Sequence, residues 1–289
     1  MSAPGGEHTV LSVLRAAEGW LQQRGAEAPR RSAELLLGKV LGLTRLQLYL
    51  AHDRPLDGNE RAAMRGLVQR RASGEPVAHL LGTWSFRGLE LAVGPAVLIP
   101  RPETEQLVDL ALERAPRGSS VLDLGTGSGA ISIGLAAARP DVRVLGVDVS
   151  QNALAVAASN VQRHGLAERV TLAHGSWWEA VQPGAVFDLV VSNPPYIDPD
   201  ASGELAADVR AFEPPLALFT SKGDVVSCYR AIVAGLATGL RAGGWFVAET
   251  GVGASGPARE LLASQPFLGE VQLRQDHEGI DRFLLARRA

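Results

Sequence analysis

A mostly parallel α/β sheet with helices on both faces, preceded by a small bundle of helices, is the architecture this sequence predicts. Three observations predict it. Before about residue 80, apolar residues recur at helical spacing and nowhere alternate as they would in a strand. Beyond Gly118, short apolar runs alternate with helical stretches, the pattern of strand–helix–strand units. Between these regions the texture changes to aromatic and aliphatic residues set among glycines.

The elements follow in order. Val10, Leu14, Ala17 and Leu21 mark one face of a first helix, with Gly25 as its stop. Leu35, Leu36, Val40 and Leu41 mark a second. Thr44 is read as the cap of a short third helix reaching Leu50. Asp57 or Asn59 caps a fourth, with Met64, Leu67 and Val68 facing inward. Trp84, Phe86, Leu89, Leu91 and Val93, among Gly82, Gly88 and Gly94, predict a β-hairpin. The prolines in Leu98-Ile99-Pro100-Arg101-Pro102-Glu103-Thr104-Glu105 bar a continuous helix there. The next helix is therefore expected to start at Thr104 and run over about 105–114. Strands are expected at 121–124, 142–147, 170–173, 187–192 and 245–249, then at 267–274 and 280–286, seven in all. Helices at 130–138, ended by Pro140, and at 153–164, ended by Gly165, fall between them. In such a sheet ligands bind at the carboxyl ends of the strands.

Composition narrows the function. The 289 residues are 46% hydrophobic and 20% charged, which excludes wholesale disorder. One cysteine, Cys228, excludes a disulfide framework and a cysteine-based zinc site. The six histidines (8, 52, 79, 164, 174 and 277) lack metal-ligand spacing, so no metal is expected. No apolar run approaches the roughly 20 residues of a membrane span. Met1 to Thr9 lacks the basic start and apolar stretch of a signal peptide, so a soluble cytoplasmic protein is expected. Residues 1–80 carry 11 Arg/Lys against 8 Asp/Glu, and residues 81–289 carry 17 against 23. The second region is thus net −6, which disfavours direct contact with nucleic acid.

Two motifs carry chemistry. The first is Asp123-Leu124-Gly125-Thr126-Gly127-Ser128-Gly129-Ala130, a glycine loop between a strand and a helix. Its glycines permit a tight turn and close approach of backbone to a ligand. Gly125, Gly127 and Ala130 also fit the dinucleotide pattern, and Asp148 at the end of the next strand fits a ribose-binding carboxylate in either case. Asp123 favours S-adenosylmethionine. A carboxylate before the loop repels a pyrophosphate but suits a ligand bearing an ammonium and a sulfonium.

The second motif is Asn193-Pro194-Pro195-Tyr196, directly after the expected strand at 187–192. Two prolines end strand pairing and remove two backbone donors, leaving carbonyls as the main-chain hydrogen-bonding groups. Asn193 adds a side-chain carbonyl and Tyr196 an aromatic face. Such a stiff acceptor cluster suits a planar NH2 group: two acceptors take its two hydrogens and aim its nitrogen at an electrophilic methyl. Adenine, guanine and glutamine all carry such a group.

With these residues together, the chain resembles the class I (Rossmann-like) methyltransferases that modify glutamine side chains. Ile99-Pro100-Arg101-Pro102-Glu103-Thr104-Glu105, Gly74-Glu75-Pro76-Val77 upstream and Asp208-Val209-Arg210 with Phe212-Glu213-Pro214 downstream narrow the resemblance to the PrmC/HemK family, the peptide chain release factor N5-glutamine methyltransferases. It covers nearly the whole chain. The resemblance implies S-adenosylmethionine as cofactor and the glutamine of the Gly-Gly-Gln motif in bacterial class 1 release factors as substrate. It implies that Gly125, Thr126, Gly127, Ser128 and Gly129 line the methionine and ribose, that Asp148 accepts from the ribose hydroxyls, and that Trp177 lies near the adenine. Asn193, Pro194, Pro195 and Tyr196 would form the glutamine pocket, Asn193 touching cofactor as well as substrate, with Asn193, Pro194 and Tyr196 as the catalytic group. Arg101 and Glu103 would shape the rim.

Three expected domains follow: 1–80 as a helical substrate-recognition domain, 81–100 as a β-hairpin linker and 101–289 as the methyltransferase domain. A monomer is expected. Ser176 stands where the family often has Asp, residues 211–215 hold one residue more than the usual run, and the stretch at 221–224 also differs. The competing readings are a ribosomal-protein glutamine methyltransferase, which shares the Asn-Pro-Pro-Tyr element but lacks the Pro-Arg-Pro-Glu-Thr-Glu run, and an adenine-N6 methyltransferase of nucleic acid, which the acidic second region opposes. A nicotinamide dehydrogenase and a non-enzymatic binding module rank lower.

Overall fold

The computed structural model describes residues 8–289. Most of the stretch read as lacking a signal peptide lies outside the described residues. The chain divides into two compact units, one of residues up to 82 together with 206–212, the other of 83–205 and 213–289. No helix among the described residues is long and apolar enough to cross a membrane.

The first unit is helical. Helix α1 (Val10–Gln22) is capped by Thr9 and buries Val10, Leu14, Ala17 and Leu21. Helix α2 (Pro29–Leu41) buries Leu36 as expected and packs Val40 and Leu41 against the same core, but Ala33 and Leu37 take the inward place expected of Leu35. Helix α3 (Arg45–Leu50) starts from a reciprocal cap in which Thr44 and Gln47 satisfy each other's backbone N–H. Asp57 and Glu60 do the same for α4 (Gly58–Ala72). A short helix α5 (Val77–Leu81) follows Pro76. Leu21, Leu36, Leu48 and Met64 meet in one apolar core.

The second unit opens with the hairpin β1 (Thr83–Phe86) and β2 (Leu89–Ala92). This hairpin is part of the second unit, not a free linker, because Asn160 holds it down. Asn160 Oδ1 accepts from the Ala92 N–H at 2.6 Å, while its Nδ2 donates to the carbonyls of Ala92 and Ser128 at 3.0 and 2.9 Å. Helix α6 (Pro102–Arg114) begins earlier than the expected Thr104. Pro102 occupies its first turn, where a fixed φ suits the helix and the missing N–H would have no partner. The order is then β3 (Ser120–Leu124), α7 (Ala130–Ala138), β4 (Arg143–Asp148), α8 (Gln151–Arg163), β5 (Val170–His174) and β6 (Phe187–Ser192). Helices α9 (Ala207–Phe212), which belongs to the first unit, α10 (Pro215–Leu218) and α11 (Ser227–Gly239) precede β7 (Leu240–Glu249). Helix α12 (Ser255–Ala263), β8 (Leu268–Gln275) and β9 (Asp281–Arg288) complete the chain.

The seven-stranded sheet runs β5-β4-β3-β6-β7-β9-β8. The first five strands are parallel, and β9 is antiparallel to both of its neighbours. Alternate residues face two cores. Val121, Leu189 and Val247 enter one, while Leu122, Val190 and Phe246 enter the other, so helices cover both faces. The chain winds outward in both directions from the β3–β6 pair. That pair is the topological switch point at which open parallel sheets bind ligands.

Candidate active site

The glycine loop leaves the carboxyl end of β3. Gly125, Gly127 and Gly129 all have left-handed φ (77°, 56° and 81°), which other residues adopt only with strain. The N–H groups of Gly125 and Thr126 both donate to the Val147 carbonyl, at 2.8 and 3.0 Å, anchoring the loop to β4. Asp148, which ends β4, completes the anchor. Its Oδ2 accepts from the Gly127 N–H at 2.8 Å and its Oδ1 from the Ser150 N–H at 2.9 Å. Each oxygen keeps a lone pair for a further donor. Burial raises the Asp148 pKa, against the pull of these backbone bonds.

Asp123 corrects the reading of the loop. It does not face a ligand cation across the cavity but is fully buried behind the loop. Its Oδ2 takes the Thr126 hydroxyl at 2.7 Å, the Ser132 hydroxyl at 2.6 Å and the Ser132 N–H at 3.2 Å. Burial pushes its pKa up to about 6 against those bonds. Asp123 therefore stiffens the loop from behind.

A cavity of about 330 Å³ opens in front of the loop. Gly125, Thr126, Gly127 and Ser128 line it, with Asp148, Trp177, Asn193 and Pro195. Gly129 does not. A Cβ there would meet Ile133 and Ala157 at 3.1 and 3.3 Å, so this glycine serves the packing of α7 against α8. Trp177 sits on a 3-10 turn after β5 with a φ of 49°. Its neighbour Trp178 anchors that turn by donating from Nε1 to the Ile232 carbonyl at 2.7 Å, over Gly235 and Gly239, which leave room for the ring.

The acceptor segment leaves β6, next to β3 in the sheet. Leu124 and Ser192 are register partners, and the Ser192 hydroxyl donates to the Leu124 carbonyl at 2.6 Å. Gly125 and Asn193 therefore begin side by side. Pro194 is buried beneath the cavity wall. Tyr196 also stands outside that wall. Its ring lies where a Cβ on Gly251 would meet it at 2.5 Å, and its hydroxyl lies 3.5 Å from Glu249 Oε1. Burial drives the Tyr196 pKa well above its ordinary value.

Two residues that sequence reasoning did not place at the site support Asn193, Thr104 from the cavity wall and Glu249 from behind it. Thr104, on α6, accepts from Asn193 Nδ2 at 3.2 Å and donates to Glu249 Oε2 at 2.8 Å. Glu249, the last residue of β7, is 2% exposed, and burial raises its pKa to about 7. Arg101, expected at the rim, forms an ion pair with Glu213, which also accepts from the Ile99 N–H at 3.1 Å. That link ties together the segments carrying Pro100 and Pro214, both of which line the cavity.

The residues present fit S-adenosylmethionine. Left-handed glycines clear the loop face, Asp148 keeps free lone pairs toward hydroxyls, and Trp177 offers an aromatic surface. Fold and site together define a Rossmann-like methyltransferase. The hMettl16 catalytic domain, solved in complex with MAT2A 3′UTR hairpin 6, shares this fold, with a TM-score of 0.55 and 16% identity, covering 70% of this chain and 76% of that one. The family description "PrmC N-terminal domain" matches residues 12–82, and "Methyltransferase small domain" matches 103–225. The release factor glutamine methyltransferase of Geobacter sulfurreducens is 43% identical over 279 residues, covering 96% of each chain. That of Chlorobaculum tepidum is 40% identical over 288 residues, again covering 96% of each. The chain belongs to the release factor glutamine methyltransferase family.

Proposed function

We propose that this protein methylates the side-chain amide nitrogen (N5) of the glutamine in the Gly-Gly-Gln motif of bacterial class 1 peptide chain release factors, with S-adenosylmethionine as donor. The observation that carries the reading is the sharing of one cavity by the glycine loop of β3 and Asn193 of β6, on adjacent paired strands. Bound there, the cofactor supplies an electrophilic methyl on a sulfonium that departs as a neutral thioether.

The chain's own residues do the rest. Gly125, Thr126, Gly127 and Ser128 receive the methionine and ribose, Asp148 accepts from the ribose hydroxyls, and Trp177 flanks the adenine. Asn193 Oδ1 and the Pro194 carbonyl accept the two hydrogens of the glutamine amide. Held this way, the nitrogen presents its lone pair to the methyl, and orientation with fixed dipoles supplies the catalysis. Pro195 walls the pocket, and Tyr196 supports it from behind. The proton left on the product nitrogen goes to water. No residue must act as a strong base before attack.

The N-terminal helical unit, residues 1–80, is the docking element for the release factor in this reading. Its net +3 charge opposes the net −6 of residues 81–289, and a single glutamine on a loop offers too few contacts for affinity. Raised salt is then expected to depress activity on whole release factor several-fold more than on a short Gly-Gly-Gln peptide; equal salt sensitivity would remove the docking role. The protein acts as a cytoplasmic monomer without direct nucleic-acid contact.

Incubation with radiolabelled S-adenosylmethionine and, separately, a bacterial release factor, a ribosomal protein carrying a methylatable glutamine, and DNA or RNA tests the whole reading. Label is expected in the release factor alone and should vanish when its Gly-Gly-Gln glutamine is replaced by alanine. Label in either of the other substrates, and none in the release factor, overturns it.

A further inference from the structure

Asn193 serves as an acceptor only if its side-chain amide is turned the right way. The oxygen and nitrogen of an amide are nearly the same size, so cavity shape does not choose which of them faces the substrate. Hydrogen bonding behind the residue makes the choice. Asn193 Nδ2 donates to Thr104 Oγ1 at 3.2 Å, and that hydroxyl donates to Glu249 Oε2 at 2.8 Å. A hydroxyl has one proton, and an ionised carboxylate only accepts. With its proton committed to Glu249, Thr104 has only lone pairs to offer Asn193. It can hold Nδ2 and cannot hold Oδ1. Thr104 lines the cavity yet is only 4% exposed, and Glu249, 2% exposed, does not line it, so the Thr104–Glu249 bond is shielded from solvent.

We propose that Thr104 and Glu249 are positioning residues that set the polarity of the Asn193 amide, so that Oδ1, and not Nδ2, meets the NH2 group of the substrate glutamine. The inference rests on the reading of Asn193 as the substrate acceptor and deepens it. Two strands and a helix contribute to one chain of hydrogen bonds, Glu249 from the end of β7, Thr104 from α6 and Asn193 from just beyond β6, with Arg282 of β9 supplying charge nearby.

The relay has a defined failure mode. Glu249 is faced by Glu103 of α6, Arg282 of β9 and the Tyr196 hydroxyl, while the Tyr229 hydroxyl of α11 donates to its main-chain carbonyl at 2.7 Å. Burial and Glu103 favour the protonated carboxyl; Thr104, Arg282 and Tyr196 favour the ionised one. A protonated Glu249 can donate to Thr104, whose hydroxyl is then free to donate to Asn193. The Asn193 amide turns over, and its Nδ2 meets the substrate NH2, donor against donor. Turnover is thus expected to fall as pH drops through about 7, the value to which burial raises the carboxyl.

Four single variants of the full chain, Thr104→Val, Thr104→Ser, Glu249→Gln and Asn193→Ala, and the Thr104→Val/Asn193→Ala double variant test the relay. The readouts are kcat and KM on release factor, S-adenosylmethionine affinity by titration, and the Asn193 side-chain amide signal in proton–nitrogen correlation spectra. Thr104→Val, close in shape but without the hydroxyl, should lower kcat about 10- to 100-fold while KM and cofactor affinity stay within about twofold. Thr104→Ser should recover most of that loss. Adding Thr104→Val to Asn193→Ala should cost nothing further. The Asn193 amide signal should move in Thr104→Val and return in Thr104→Ser. Glu249→Gln, whose amide can accept from Thr104 through its oxygen but does not titrate, should flatten the acidic limb. Full kcat in a folded Thr104→Val protein beside an impaired Asn193→Ala protein overturns the relay and leaves the acceptor reading standing. An equal Thr104→Val loss in the Asn193→Ala background also overturns it. Full activity of Asn193→Ala overturns the acceptor reading itself.

Discussion

The two ends of the cavity are built alike and work differently. Each has a buried carboxylate behind its front row, Asp123 behind the glycine loop and Glu249 behind Asn193. Asp123 bonds to Thr126 and Ser132, three and nine residues along the chain. Glu249 bonds to Thr104, 145 residues away. The near carboxylate shapes a stretch of backbone, and the far one shapes the direction of a side chain. A cofactor common to many enzymes is held by a local motif, while the amide acceptor is aimed by residues that meet only when the sheet closes.

The largest effect is expected at the acceptor end. Asn193→Ala should slow single-turnover methylation about 10²–10³-fold while leaving peptide KM within a few-fold, the pattern of a lost preorganised partner. Near wild-type turnover would break the comparison at once. At the cofactor end the expected loss is in affinity instead. Asp148→Ala removes charge-assisted hydrogen bonds worth roughly 1.5–3 kcal/mol, tenfold or more in S-adenosylmethionine binding by calorimetry. Asp123→Ala strips the shared acceptor from two buried hydroxyls and an N–H, so the urea midpoint should fall by the equivalent of about 1–3 kcal/mol. If cofactor affinity falls while that midpoint holds, Asp123 touches ligand after all.

The smallest effect separates the two carboxylates by pH. Burial raises both, Asp123 from 3.8 to about 6 and Glu249 from 4.5 to about 7. Between those values the folded protein binds protons that the unfolded chain does not. These two groups therefore add stability as pH falls from 8 toward 5, by at most about 1.4 kcal/mol per pH unit each, and remove it as pH rises. Urea midpoints at pH 8, 7, 6 and 5 check the sign. Asp123→Asn should remove the lower part of this rise and leave the acidic limb of turnover intact. Glu249→Gln should remove the upper part and the limb together.

Much of this was legible in the sequence. The strand at 187–192 and the helix at 130–138 match their expected bounds, because apolar runs there end at hard signals, Asn-Pro-Pro on one side and Gly or Pro on the other. The start of β7 was hidden. It begins at Leu240, five residues before the expected point, and Gly243 and Gly244 mask the strand where its pairing with β6 shifts register. Pro102 reads as a breaker unless its place in the first turn is known. The glycine loop, Asp148 and Asn193 were legible as local chemistry. Glu249 and Thr104 were not, since a Thr in a helix and a Glu ending a strand carry no signal until they are brought within hydrogen-bond distance. Gly129 and Asp123 sat inside the right motif, yet their roles turn on which side of the loop they face.

One pairing has a consequence for how the enzyme comes into being. Leu124 and Ser192 are bonded across β3 and β6 although 68 residues separate them along the chain. Everything between, including two helices and two strands, has to be laid down before that ladder closes. Long loops close late, because their entropy is lost before any contact offsets it. A ribosome-bound chain therefore acquires no complete methyl-transfer centre until β6 has emerged and docked. The donor cannot guide early folding; it can only stabilise, by mass action, a centre already assembled.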